Sequence, residues 1–224
     1  MWISLCSLNI GETKEPGIFD LQNLILLKSF YQEEKTEAGC DEAGRGCYAG
    51  PVFAAAVILP KDFFHPFLND SKQVKEEQRY ELRTIIEKEA ISFGVASVGH
   101  EEIDTINILR ASFKAMHLAI EKLNQKPGFL LIDGNRFTKY KRTPHACIIK
   151  GDGIYASIAA ASILAKTYRD DYMKQLHQEF PCYNWASNKG YGTEAHRKAI
   201  EEHGLCQYHR KSFNISATQA ELFD

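Results

Sequence analysis

No run of apolar residues in this chain approaches the roughly 18 to 20 that a membrane helix needs, so no transmembrane segment is expected. The apolar first ten residues have no basic stretch and no small-residue cleavage site, which argues against a signal peptide. Six cysteines stand at positions 6, 40, 47, 147, 182 and 206, and no two form a Cys-x-x-Cys pair. That spacing suggests neither a zinc site nor a disulfide framework; reduced thiols in a cytoplasmic protein are the simplest account. Charge of one sign is not in excess either. With 27 Lys and Arg against 29 Asp and Glu, the net −2 argues neither for nor against nucleic acid, because a sum hides its distribution. One stretch is locally basic: Arg136, Lys139, Lys141, Arg142 and Lys150, with no acid among them. Internal repeats and low-complexity tracts are absent.

What is present is an ordinary soluble composition, 44% apolar and 25% charged over 224 residues, enough for one large or two small domains with a real core. Residues 39–59 read as strand, acidic loop, strand. Residues 70–89 read as a helix with Asp70 or Ser71 as its N-cap. Alternation over 91–98 predicts a strand. Apolar residues at Ile106, Leu109, Phe113, Met116, Ala119, Ile120 and Leu123 follow the helical repeat and predict one long helix over 101–124. Residues 129–132 form a short continuous apolar run, the mark of a central strand buried on both faces. A strand over 145–150, a small-sided helix over 157–178 and a helix near 193–203 follow, the last within a C-terminal appendage beginning at Pro181.

Chemistry concentrates at 40–50, Cys-Asp-Glu-Ala-Gly-Arg-Gly-Cys-Tyr-Ala-Gly. Adjacent carboxylates Asp41 and Glu42 are a poor way to make a core and a good way to hold a hard divalent cation such as Mg²⁺, which takes one or two carboxylates and fills its shell with water and phosphate. The nearby glycines let backbone N–H groups approach a ligand that a Cβ would hold off. Two further strands are followed by Asp133-Gly134 and by Gly151-Asp152-Gly153. One Asp-Gly is an ordinary turn. Three strand-terminal acidic sites are harder to dismiss, because like charges brought together cost stability unless a cation compensates. Two metals about 4 Å apart could stabilise both the attacking and leaving oxygens of an in-line displacement. The pattern points to phosphodiester chemistry.

These residues resemble bacterial ribonuclease HII, the type 2 ribonuclease H. The resemblance is carried by Asp41-Glu-Ala-Gly-Arg-Gly, Asp70-Ser-Lys, Ile103-Asp with Asn107-Ile, Asp133-Gly, Lys150-Gly-Asp, Ile158-Ala-Ala-Ala-Ser-Ile-Leu-Ala-Lys with Arg169-Asp, and Lys189-Gly-Tyr-Gly-Thr, in the family's order. It implies an α/β fold, a ribonuclease H-like mixed β-sheet flanked by helices with a helical C-terminal extension. The organisation implied is an extension over 1–22, a catalytic body over 23–180, a substrate-binding extension over 181–215 and a tail over 216–224.

The resemblance further implies that Asp41, Glu42, Asp133 and Asp152 are both the catalytic and the metal-binding acids, serving Mn²⁺ or Mg²⁺, two ions with substrate bound. Gly44, Arg45 and Gly46 would meet the ribonucleotide 2′-OH through their backbone, and Tyr191 would stack on the sugar of the next deoxynucleotide. The 2′-OH is what tells the two backbones apart at a given site. The expected activity is cleavage of RNA–DNA hybrids, and of duplex DNA 5′ of single ribonucleotides, leaving 3′-OH and 5′-phosphate, in ribonucleotide repair and primer removal. In many relatives a basic residue follows the acid at the Asp152 position within two or three residues; here Gly153-Ile154-Tyr155 follows, which argues against a phosphate contact from that loop. The tail resembles the Gln-x-x-Leu-Phe peptide that docks on the sliding clamp, with Gln219 at the rim and Leu222 and Phe223 in an apolar pocket. A monomer is expected.

Overall fold

The computed structural model describes residues 26–215. The expected extension over 1–22 and the tail with Gln219, Leu222 and Phe223 lie outside the described residues. Five strands, β1 (Glu37–Ala43), β2 (Val52–Ile58), β3 (Ser92–Val98), β4 (Phe129–Asp133) and β5 (His145–Ile148), form one mixed sheet ordered β3-β2-β1-β4-β5. β1 and β3 flank β2 antiparallel, whereas β1, β4 and β5 run parallel.

Side chains alternate across a strand, and β2 divides accordingly. Val52, Ala54, Ala56 and Ile58 enter one core with Ala111, Ala115, Met116 and Ala119 of α3 (Ile108–Glu121). Ala55 and Val57 enter the other with Leu82 and Ile86 of α1 (Glu76–Glu89) and the alanines of α4 (Ala156–Glu179). Small residues set the spacing. A Cβ on Gly39 would stand 2.2 Å from the Ser157 carbonyl carbon, so β1 and the start of α4 touch backbone to backbone. That contact presses α4 against the strand bearing the first two acids. Past Pro181, α5 (Trp185–Asn188) and α6 (Glu194–His203) pack with the end of α4 around Met173, Tyr183, Trp185 and Ala199. Among the described residues no helix is long and apolar enough to cross a membrane.

Three expectations are corrected. The long helix over 101–124 is two, α2 (His100–Ile106) and α3, broken at Asn107 with φ 67°. The Asn107 side chain accepts the Arg110 N–H at 3.1 Å, capping α3 as an N-cap asparagine does. Both helices serve the same face of the sheet, so the apolar period runs through the break. The helix expected from Asp70 starts at Glu76; Asp70 instead folds a turn, its carboxylate accepting the Lys72 N–H at 2.9 Å. The strand expected over 145–150 ends at Ile148, because Lys150 is left-handed, φ 56°, and opens a short 3-10 turn.

Candidate active site

The parallel ladder between β1 and β4 runs as far as Cys40 and Ile132. One step further in the same register stand Asp41 and Asp133. The acidic pair does not lie in a loop, as expected from sequence: the antiparallel ladder to β2 continues, with Asp41 opposite Ala55 and Glu42 opposite Ala54. The strand survives on one side and its parallel partner departs on the other. The acids thus sit at the rim where adjacent chain ends diverge, the usual place for ligands in α/β sheets.

Asp133 is tied to the next acid through backbone: one of its carboxylate oxygens accepts the Gly151 N–H at 2.7 Å, and Asp152 follows in the 3-10 turn Gly151–Gly153. Asp70 stands close enough to Asp152 for its charge to be felt there. The Asp41 carboxylate accepts the Glu42 N–H at 2.6 Å, and Ser162 of α4 meets Ser71 Oγ at 2.9 Å. Glu42 receives the Arg45 guanidinium at 3.0 Å. All four acids line one cleft of about 410 Å³, together with Gly44, Arg45, Gly46 and Tyr191. The structure thus brings together all eight candidate site residues expected from sequence within 26–215.

The electrostatics are those of a site short of positive charge. Asp41 is held well above the usual carboxylate range, by burial first and then by the charges of Glu42 and Asp133. Burial also raises Glu42, against the pull of Arg45. Asp133 is raised by burial, against bonds from backbone N–H groups and the charge of Lys72. Asp152 is pushed up to about 6, by burial, then by Asp133 and Asp70. The donor set is all oxygen, which suits Mg²⁺ and Mn²⁺ rather than zinc or copper. Among the described residues no three such side chains converge closely enough to chelate an ion unaided. That fits a magnesium-type site, where one or two carboxylates bind and substrate phosphate and water complete the shell.

The glycine loop beside the acids is stitched to the C-terminal part. Cys47 and Tyr191 form an antiparallel bridge, and the Tyr48 N–H donates to the Gly190 carbonyl at 2.8 Å. Gly44 takes φ 95°, and a Cβ there would lie 2.0 Å from Arg169 Nε, so glycine is required twice over. Tyr191 is 40% exposed, its ring 5.8 Å from each of the Lys166 ammonium and the Arg169 guanidinium. Its hydroxyl is pushed up to about 12, by burial first and then by the neighbouring Cys47. Ser71, Lys72, Ser162 and Lys166 also line the cleft but received no role from sequence. Asp70-Ser71-Lys72 and the Ser162–Lys166 stretch of the small-sided helix were the available signals.

Comparison with known proteins agrees with this geometry. The family model described as Ribonuclease HII matches residues 38–216. A ribonuclease HII of Bacteroides fragilis is 63% identical over 88% of this chain and 99% of its own length. That of Bacteroides thetaiotaomicron is 63% identical over 85% of this chain and 95% of its own. A solved Archaeoglobus fulgidus ribonuclease HII, in complex with PCNA, shares the fold at 22% identity and TM-score 0.66, covering 83% of this chain and 98% of that one. On identity across most of the chain, with a ribonuclease H-like fold, this chain belongs to the ribonuclease HII family and is a ribonuclease H, an enzyme acting on RNA paired with DNA.

Proposed function

We propose that the cleft cuts the RNA strand of RNA–DNA hybrids and cuts duplex DNA 5′ of an isolated ribonucleotide, leaving 3′-OH and 5′-phosphate ends. One observation carries this reading: four acids, a glycine loop and a half-exposed tyrosine share a single cleft. Asp41, Glu42, Asp133 and Asp152 would hold two divalent ions, Mg²⁺ or Mn²⁺, which when bound supply positive charge for the attacking and leaving oxygens. The remaining work falls to the chain itself. Asp133, fixed by the Gly151 N–H, and Asp41, fixed by the Glu42 N–H, keep their carboxylates in place before substrate arrives. Gly44, Arg45 and Gly46 offer backbone to the 2′-OH, and Tyr191 offers a ring face to the following sugar. Lys72 and Lys166 line the same cleft and suit the phosphates on either side. The exposed basic residues Arg136, Lys139 and Arg142, just past β4, suit the duplex backbone.

The same reading assigns residues 23–180 to catalysis and 181–215 to substrate binding, in a cytoplasmic monomer serving ribonucleotide repair and primer removal. Gln219, Leu222 and Phe223 would tether it to a sliding clamp, raising its effective concentration on replicated DNA. A tail peptide titrated against the clamp by fluorescence anisotropy tests that tether, and binding indifferent to Leu222→Ala and Phe223→Ala would sink it. The activity is tested on a labelled duplex bearing one ribonucleotide, with Mg²⁺, with Mn²⁺ and with chelator. Cleavage 5′ of the ribonucleotide with either ion is expected; no cleavage with both would overturn the reading.

A further inference from the structure

Two arginines, Arg169 in α4 and Arg210 beyond α6, are completely buried. Among the described residues neither is in ion-pair contact with a carboxylate. A cation out of water and unpaired is costly, so its donors must be met otherwise. They are met by backbone. Arg210 donates from Nε to the Gly50 carbonyl at 2.9 Å, from Nη1 to Arg45 at 2.9 Å and from Nη2 to Gly44 at 2.7 Å. Arg169 donates to the carbonyls of Pro51, Lys189 and Ala49 at 3.0, 2.8 and 3.1 Å. Five of these six carbonyls belong to the one loop, residues 44–51.

Peptide planarity gives this a directional consequence. No peptide bond among the described residues is cis, so the N–H following each carbonyl points the opposite way. With the carbonyls of Gly44 and Arg45 turned in to Arg210, the N–H groups of Arg45 and Gly46 turn out, on a loop that lines the cleft. Arg210 is itself set from outside: Asp104 in α2 accepts the N–H groups of Lys211 and Ser212, both at 2.9 Å, and the Ser212 hydroxyl at 2.6 Å.

We propose that Arg210, held by Asp104 and seconded by Arg169, is a positioning residue that aims the N–H groups of Arg45 and Gly46 at the ribonucleotide. This rests on the reading that residues 44–46 meet the 2′-OH. It makes ribonucleotide selectivity a property of buried arginine forks rather than of the loop alone. Lysine keeps the charge but cannot satisfy three carbonyls in one plane.

The test compares wild type, Arg210→Lys, Asp104→Ala and Gly46→Pro, the last lacking the N–H at issue. Each is measured for kcat and KM on a duplex with one ribonucleotide, and by anisotropy without divalent ion for affinity toward that duplex and the all-DNA duplex. Arg210→Lys should lower kcat about 10²-fold, the cost of misplacing a reacting group by an ångström. It should lose the preference for the ribonucleotide duplex while binding plain DNA unchanged, since phosphate contacts lie elsewhere. Asp104→Ala, a surface change, should lose part of the preference and carries the test if Arg210→Lys does not fold. Equal weakening on both duplexes, or a preserved preference in both Arg210→Lys and Asp104→Ala while Gly46→Pro loses it, overturns the positioning role alone. A preference intact in Gly46→Pro overturns the 2′-OH reading, and this proposal with it.

Discussion

Two clusters of ionisable side chains are buried within this one molecule, and they are built on opposite plans. The acids at the rim of β1 and β4 repel one another, and burial drives their affinity for protons upward. The cluster beneath the C-terminal part is closed on itself. His196 donates from Nδ1 to the Tyr191 carbonyl at 2.9 Å, while its Nε2 accepts from Trp185 Nε1 at 3.0 Å and from His209 Nε2 at 3.2 Å. His209 Nδ1 in turn accepts the Cys206 N–H at 3.0 Å. One tautomer for each ring fits these contacts, the two donors to His196 Nε2 sharing its single lone pair. The difference separates a binding site from architecture: a buried polar group with all its partners inside the fold specifies shape, and one that lacks them awaits a ligand.

The strongest way to break this comparison is Asp41→Asn. Activity should fall by at least about 10² to 10³, the worth of one well-placed electrostatic group. Without metal the variant should melt higher than wild type, since one of four clustered acids is gone. Turnover on the single-ribonucleotide duplex and a melting curve in chelator check both halves. Near-normal turnover would falsify the metal assignment.

The acid end of that contrast was legible in sequence and the closed end was not. Asp41, Glu42, Asp133 and Asp152 stand out because three strand ends carry carboxylates, although any one Asp-Gly alone reads as an ordinary turn. That Asp41 and Glu42 lie in a strand was hidden, because the pairing that keeps them there is with Ala55 and Ala54, beyond a turn. The break at Asn107 was hidden because both helices serve one face, so the apolar period carries no mark of the positive φ. Arg169 and Arg210 look like surface residues in a helix and in the C-terminal extension; only tertiary structure shows them buried against loop carbonyls. Strand and helix identities are local and were readable. Which polar groups close on one another depends on long-range contacts.

Acid pH should split the two clusters. His209 is lowered to about 4, by burial and then by the neighbouring His196, and burial lowers His196 too. The folded state therefore binds fewer protons than the unfolded state between about pH 6.5 and 4, and stability falls as pH drops through that window. For His209 the full effect is roughly 3 kcal/mol. The metal-free acids act in the opposite sense: their folded pKa values are raised, so protonation as pH falls favours the native state until the unfolded carboxylates also protonate. Asp152, at about 6, covers much of the same window. Chemical denaturation from pH 7 to 4 in chelator should give a shallow slope for wild type and a steeper loss for Asp152→Asn. Parallel slopes for the two proteins would remove the opposition.

Divalent ion should sharpen the same contrast from the other side. Mg²⁺ or Mn²⁺ at about 100 times its Kd should add about 2.7 kcal/mol to wild type by mass action. Asp41→Asn should gain much less, and a variant of the histidine cluster should gain as much as wild type. Calorimetric melting with and without ion reads all three, and an equal gain in Asp41→Asn would place the ion elsewhere.

The smallest expected effect lies in the closed cluster, and its sign is what matters. Trp185→Phe keeps an aromatic ring stacked on Tyr183, where the centroids are 5.1 Å apart, but removes the indole N–H that reaches His196. His196 Nε2 keeps its second donor, His209, so no acceptor is orphaned. The loss is one net hydrogen bond and the smaller ring's packing, about 1 to 2 kcal/mol. Removing a group from the closed cluster thus destabilises, whereas Asp41→Asn, removing a charge from the open one, stabilises the metal-free protein. Activity in Trp185→Phe should stay within roughly threefold of wild type below its melting point, because His196 still holds the Tyr191 carbonyl through Nδ1. Urea denaturation together with turnover at 25 °C would decide it, and a gain in stability would erase the distinction between the two clusters.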